Sequence, residues 1–347
     1  MASAVASGAK AGGVGVGRNG VMQDGTRLTG PHEAQRLQRL TATALPPRGA
    51  AFAIDRPRAR CAPAASVASV VVSIAASITT SITTSVAAPA DGTIRCMSLP
   101  PPLTALHDLD VQLAGSGYAV LDAASLARLA DVAPADLAAW APLWNDLPPD
   151  AFLKDGGRYR RRRHGCFIVQ PAAGTAVLQP HRAHWQPVEY NALHGGIERW
   201  FEPLPPAMAA SPAWTRLLCA LAAHAAVLRG VAPAAEPWFV EAHPFRIDTT
   251  DGIGRPTPEG AHRDGVDLVV VVLVSRVAIK GGETRVFDAR GSQGLRFTLS
   301  EPGSALLLDD ERVIHESTPI QPLHAALRCH RDTLVLTFRR GGFQGPA

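Results

Sequence analysis

His262-Arg263-Asp264 is followed, 51 residues after the aspartate, by His315. In an extended segment residues i and i+2 point to one side, so His262 and Asp264 can aim an imidazole and a carboxylate at a single point. His315 lies in a strand-like run, RVIHEST, that could sit beside the first segment in a rolled sheet. Two histidines and one carboxylate on one face of a metal are the ligand set of non-haem Fe(II) oxygenases, with positions left open for cosubstrate and oxygen. The three residues alone are also compatible with a surface turn, GAHRDG, and unrelated histidines.

An iron site that uses 2-oxoglutarate needs a fixed cation for the distal carboxylate, and the planar fork of arginine suits it. Arg331 opens the last strand-like run, DTLVLTFRR, 16 residues after His315, and an antiparallel return could bring it to the metal. Arg328 is the second choice. For a substrate carrying both charges, Glu259, Arg246 and Tyr159 are the candidates: a buried carboxylate can hold an ammonium and an arginine a carboxylate. In the run RYRRRR, extended backbone would put Arg158, Arg160 and Arg162 on one face and Tyr159, Arg161 and Arg163 on the other. One face could meet a substrate carboxylate, the other solvent. Asp309-Asp310 reads as a turn ahead of His315. Gly281-Gly282 is also a turn, lacking phosphate-loop spacing. Cys166 and Cys329 have no base nearby in sequence and read as inert.

These residues need a scaffold. After Pro237 the chain breaks into short β-rich runs, WFVEAHPFRID, DLVVVVLVSRV, ETRVFD, LRFTL, SALLLDD, RVIHEST and DTLVLTFRR. No helical pattern lies between them, so crossover units are not expected and a sandwich, jelly roll or barrel is. Upstream, Ala105 to about Leu147 is helical in pattern, broken at Gly115–Gly117 and Pro134, with Asp122 and Asp131 as caps. Residues 211–229 form a further helix with Ser211 as N-cap, Pro212 in the first turn and Gly230 as stop. His224, inside it, reads as a core histidine.

The chain has 347 residues, 46% of them hydrophobic and 18% charged. Its basicity is uneven. Residues 1–96 hold ten of the 34 Lys+Arg and four of the 30 Asp+Glu, so the remainder is slightly acidic and a nucleic-acid partner is not expected. Residues 66–88 carry no charge, but nearly half are Ser or Thr, and no membrane partner is expected. The first 96 residues read as a low-complexity tail, with translation from Met97 as one hypothesis. The five cysteines are far apart and odd in number, which fits a reducing, cytoplasmic compartment.

The segments PTPEGAHRDGVDLVVVVLVSRVAIKGGETRVFD, EPGSALLLDDERVIHESTPI and HRDTLVLTFRR resemble the bacterial 2-oxoglutarate/Fe(II) dioxygenases related to isoleucine 4-hydroxylase. The likeness extends upstream through GRYRRRRHGCF, YNALHGGIERWFEPL and EAHPFRID, over most of residues 100–340. It implies a mainly β domain over 97–347, a double-stranded β-helix (cupin-like jelly roll) with flanking helices, helical over 97–235 and stranded over 236–340. It further implies Fe(2+) at His262, Asp264 and His315, 2-oxoglutarate at Arg331, O2 as oxidant, and hydroxylation or S-oxidation of a free L-amino acid such as isoleucine, leucine or methionine. Two other readings stand beside it: a cupin-like metal-binding or regulatory protein without 2-oxoglutarate turnover, and a metal enzyme that dispenses with 2-oxoglutarate. Self-association is left open.

The tail offers little apolar surface to offset the entropy of ordering it. A chain begun at Met97 is expected to match the full chain in thermal stability and turnover; a large loss in either would show the tail to be structural.

Overall fold

The apolar runs of the C-terminal half form strands, and their period of two decides what each face does. The computed structural model describes residues 99–324 and 329–346. The basic tail, the uncharged stretch 66–88, Met97 and Arg328 lie outside the described residues. In chain order the first strands are β1 (Tyr118–Leu121), β2 (Arg160–Arg162), β3 (Gly165–Gln170), β4 (Thr175–Leu178), β5 (Trp238–Asp248) and β6 (Leu268–Val277). There follow β7 (Ile279–Gly281), β8 (Thr284–Asp288), β9 (Gly294–Phe297), β10 (Ala305–Asp309), β11 (Val313–Ser317), β12 (Ile320–Pro322) and β13 (His330–Arg339). The helices are α1 (Leu109–Ser116), α2 (Ala123–Leu129), α3 (Pro134–Ala138), α4 (Pro206–Ala209) and α5 (Pro212–Leu228).

An eight-stranded sheet runs β1-β10-β6-β13-β5-β3-β4, with β2 also paired to β5. A second sheet is β11-β8-β9, and β12 pairs with β7. All named pairings are antiparallel. This is the mainly β, jelly-roll core with flanking helices expected from the sequence.

Alternation along the central strands splits the molecule into an apolar side and a functional side. Leu334, Leu336 and Phe338 of β13 and Val240 and Ala242 of β5 join the core under the helices, where α5 contributes Trp214, Leu217, Leu218 and Leu221. The intervening Thr333, Val335 and Thr337, with Glu241 and His243, line a pocket on the opposite face. Further along, Val269 and Leu273 of β6 pack with Val286 of β8, Phe297 of β9 and Val313 of β11. That second core holds the two sheets face to face.

The N-terminal half is less helical than its pattern. β1 occupies YAVL, paired with β10 in the register Tyr118↔Leu308 to Leu121↔Ala305. Four apolar residues fit a buried edge strand as well as a helical turn, and Gly117, at φ 76°, ends α1 and redirects the chain into it. β2, β3 and β4 also fall within the span expected to be helical. Asp122 caps α2 through the Ser125 N–H at 2.6 Å. Asp131 does not cap: it sits at φ 51°, and Ala133 is the N-cap of α3. Ser211 is the N-cap of α5, without a side-chain hydrogen bond, and His224 joins α5 to α1 through Asp110 at 2.6 Å. Gly281 and Gly282, at φ 79° and 67°, form the turn into β8. Among the described residues no helix is long and apolar enough to cross a membrane.

Trp144, in the 3-10 turn Ala141–Asp146, ties the helical side to the central strands. Its indole N–H donates to the carbonyls of Phe245 on β5 (2.9 Å) and Thr333 on β13 (3.2 Å). Trp144→Ala removes a fully buried ring, and a loss of about 3–5 kcal/mol is expected by denaturant unfolding; a loss under about 1 kcal/mol would show that the joint is not structural.

Candidate metal centre and pocket

His262 and His315 are locked together by their backbones. The N–H of His262 donates to the carbonyl of His315 at 3.1 Å, and that of His315 to the carbonyl of His262 at 2.9 Å. His262 therefore lies in an isolated bridge to β11 and not, as its sequence context suggests, within a strand. The pair places the rings 4.6 Å apart, centroid to centroid. Asp264 completes the group, its oxygens 3.8 Å from His262 Nε2 and 4.0 Å from His315 Nε2. All three donor atoms lie within 4.8 Å of one another.

The surroundings orient these groups. His262 Nδ1 is 2.9 Å from the carbonyl of Gly260; carrying the proton there, it turns a bare Nε2 toward the centre. Gln186 donates from Nε2 to Asp264 Oδ1 at 3.0 Å. Asp310 accepts the backbone N–H groups of Asp264, Gly265 and Val266 at 3.0, 2.7 and 3.1 Å, fixing the loop that carries the ligand. Asp310 is thus more than the turn residue expected. Burial and the neighbouring charge of Asp264 push its carboxyl up to about 7. Burial also holds His315 well below the usual histidine range, in the neutral form that binds a metal. For His262 burial works in the same sense, but Asp264 and Glu259 outweigh it and raise the ring's pKa.

Arg331 lines the same pocket, from β13, and is 4% exposed. Its cross-strand neighbour is Arg276 of β6. Burial and Arg276 lower Arg331 to about 10. Arg331 Nε and Arg276 Nη1 are buried without hydrogen-bond partners, and among the described residues neither guanidinium has a carboxylate within 4.0 Å. Two like charges side by side in a sheet, with donors unfilled, are a combination that an anion would stabilise.

The substrate candidates separate. Glu259 is in the pocket, Oε1 at 3.5 Å from His262 Nε2, with Oε2 buried and unpartnered. Arg246 is not: it shares the parity of Val240 and Ala242, points away from the pocket, and pairs with Asp332 at 2.7 and 2.8 Å. Tyr159 is also outside, packed with Ile247, Ile279 and Ile320, its hydroxyl donating to Asp155 at 2.6 Å. From the arginine run, Arg160 and Arg162 face the pocket, whereas Arg161 is partly exposed near Asp248. The sequence did not single out Arg199, Gln186, His164, His184, Glu241 or His243. Arg199 lines the pocket with Nε unpartnered, and its Nη2 donates to Gln186 Oε1 at 2.9 Å, one residue from Asp264. Cys166 does have a histidine beside it, His164 Nε2 at 3.4 Å, but burial raises the thiol far above its ordinary pKa and keeps it protonated.

The residues present fit an Fe(II) ion and 2-oxoglutarate. The donor set is two imidazoles and a carboxylate, and Arg331, with an unfilled donor, lines the same pocket.

A family model described as 2OG-Fe dioxygenase matches residues 141–337, more than half of the chain. Among solved structures, a bsmA homolog from Methylobium petroleophilum PM1 is 53% identical, covering 72% of this chain and 98% of its own, with a TM-score of 0.67. IDO from Bacillus thuringiensis is 16% identical over 70% of this chain and 100% of its own, with a TM-score of 0.55. The Fe(II)/(alpha)ketoglutarate-dependent dioxygenase TqaL is 18% identical over 69% of this chain and 90% of its own, with a TM-score of 0.51. The last two speak for the fold alone. No curated protein matches the chain.

His262→Ala, Asp264→Ala and His315→Ala are each expected to abolish iron-dependent turnover with the fold retained by circular dichroism; near-normal activity in any two would refute the triad. Asp310→Ala should weaken Mn(II) or Co(II) binding about 10–100-fold by freeing the ligand loop, and unchanged affinity would deny Asp310 that role.

Proposed function

The chain belongs to the 2OG-Fe dioxygenase family, which uses Fe(2+), 2-oxoglutarate and O2, and on that premise we propose that it oxidises a small zwitterion, a free L-amino acid of the isoleucine, leucine or methionine kind. The observation that carries the proposal is that buried side-chain atoms of both signs without a hydrogen-bond partner, Glu259 Oε2 and Arg199 Nε, line the pocket that contains the triad. A substrate with an ammonium and a carboxylate satisfies both and adds no net charge to a buried site, where unpaired charge is costly.

In this reading His262, Asp264 and His315 hold the iron, and Arg331 takes the distal carboxylate of 2-oxoglutarate. Bound iron supplies the oxidation itself, coupling decarboxylation of 2-oxoglutarate to succinate and CO2 with delivery of one oxygen atom to a C–H bond or a thioether sulfur. Glu259 receives the substrate ammonium. Arg199 receives its carboxylate and, through Gln186, keeps it in register with Asp264. Val266, Val271, Val335 and Phe343 supply apolar wall for an aliphatic side chain and exclude water from the reacting carbon or sulfur. The folded unit is taken as 97–347 and its place as the cytoplasm.

Succinate formation from 2-oxoglutarate with Fe(II) should rise on adding one or more members of an L-amino-acid panel. Glu259→Gln should raise the requirement for that amino acid about 10- to 150-fold, as loss of a charged hydrogen bond of roughly 1.5–3 kcal/mol implies, and leave the 2-oxoglutarate requirement nearly unchanged. No stimulation by any amino acid, or an unaltered requirement in Glu259→Gln, would overturn the assignment.

A further inference from the structure

A second convergence of metal-binding side chains, sharing no residue with the triad, stands in the wall of the same pocket. Glu241 and His243 are i and i+2 on β5 and face the same side. His164 precedes β3, and His184 comes from the segment bridged to Arg199. Glu241 Oε2 lies 2.6 Å from His184 Nδ1, 3.0 Å from His164 Nε2 and 3.7 Å from His243 Nε2. One donor atom from each of the four lies within 4.8 Å of all the others, and all four residues are buried, 9% exposed or less.

We infer that His164, His184 and Glu241, with His243 as a fourth donor, form a second divalent-cation site of the nitrogen-rich type that Zn2+ occupies. A tetrahedral shell with bonds of about 2.0–2.1 Å sets its donors roughly 3.3 Å apart, a spacing that the observed separations bracket. Neutral imidazoles and an ionised carboxylate are the forms that ligate. Cys166, whose Sγ is 3.4 Å from His164 Nε2, is not among the four convergent donors.

Arg162 makes the fourth ligand conditional. Its Nη2 is 2.7 Å from His243 Nδ1, and a guanidinium can only donate, so His243 meets it with a bare Nδ1 and carries its proton on Nε2, toward Glu241. In that state Arg162 is the cluster's cation, and Glu241 gathers imidazole N–H groups in place of a metal. His243 joins the metal when Arg162 withdraws onto the rings of Phe201 and Phe245, over which it already lies at 3.9 and 4.2 Å. A cation and Arg162 therefore compete for the His243 ring, and removing the arginine should tighten the site.

The test uses full-length protein with the triad disabled by His262→Ala and Asp264→Ala, loaded with Zn2+, passed over a chelating resin and analysed for metal by mass spectrometry. One retained Zn2+ per chain is expected. It should be lost when His164→Asn and His184→Asn are added, and Arg162→Met should strengthen it at least tenfold in competition with a chromophoric chelator. Loading the triad-disabled chain with Co2+ needs no change in the cluster, and should give the intense visible bands of a four-coordinate nitrogen-rich site. No retained metal and no such bands in folded protein would overturn the proposal and leave the cluster as a hydrogen-bonded network around Arg162. Retention that survives the paired histidine substitutions would overturn it too, by placing the metal elsewhere.

Discussion

The reciprocal backbone hydrogen bonds between His262 and His315 are the constraint on which the site depends. The two histidines are far apart in sequence, and a metal cannot assemble its own ligands from a flexible chain without an ordering cost. Here the protein meets that cost in folding. The bridge fixes the two rings against each other, the Gly260 carbonyl sets the tautomer of one, and three N–H groups clasped by Asp310 set the loop that bears Asp264. Asp310 follows directly on β10, a strand buried along its whole length, so the loop is anchored to the buried sheet.

The same sheet explains how one short pocket can hold so many charges. Alternate residues of β5 and β13 deliver either core or function: Val240, Ala242, Leu334 and Leu336 go beneath the helices, while Glu241, His243, Arg331 and Thr333 go to the pocket. Burial raises the energy of each charged group, and most are answered by a partner: Arg160 by Asp150 at 2.7 Å, Glu241 by two histidines. Single atoms left without a partner, Arg331 Nε, Arg199 Nε and Glu259 Oε2 among them, are the informative ones, because an unfilled buried donor or acceptor is stabilised when a ligand fills it.

Much of this was legible in the residues. Every strand-like run after Pro237 became a strand, because alternating and β-branched segments bounded by glycine turns admit few other structures. His262, Asp264 and His315 converge because the i, i+2 argument needs only local extended backbone, which a bridge supplies as well as a strand does. Arg246 was misplaced although the signal was present: it has the parity of Val240 and Ala242, so it belongs with the helix-facing side. Tyr159 and the inward turn of Arg160 and Arg162 depend on a three-residue strand whose register with β5 no period reveals. His184, Gln186 and Arg199 come from irregular chain held by single bridges and side-chain hydrogen bonds, and only tertiary packing brings them to the metal loop.

The claim that binds these parts is that the triad and Arg331 act on one 2-oxoglutarate molecule. It is tested most directly by the equilibrium affinity of anaerobic Fe(II)-loaded protein for 2-oxoglutarate, wild type against Arg331→Ala and Arg331→Lys, with Arg246→Ala as the control arginine outside the pocket. Losing a buried charge partner of roughly 2–5 kcal/mol should weaken Arg331→Ala on the order of 30-fold to several thousand-fold. Arg331→Lys should recover part of the loss, since an ammonium lacks the fork, and Arg246→Ala should bind as wild type. Affinity unchanged in Arg331→Ala would contradict the account.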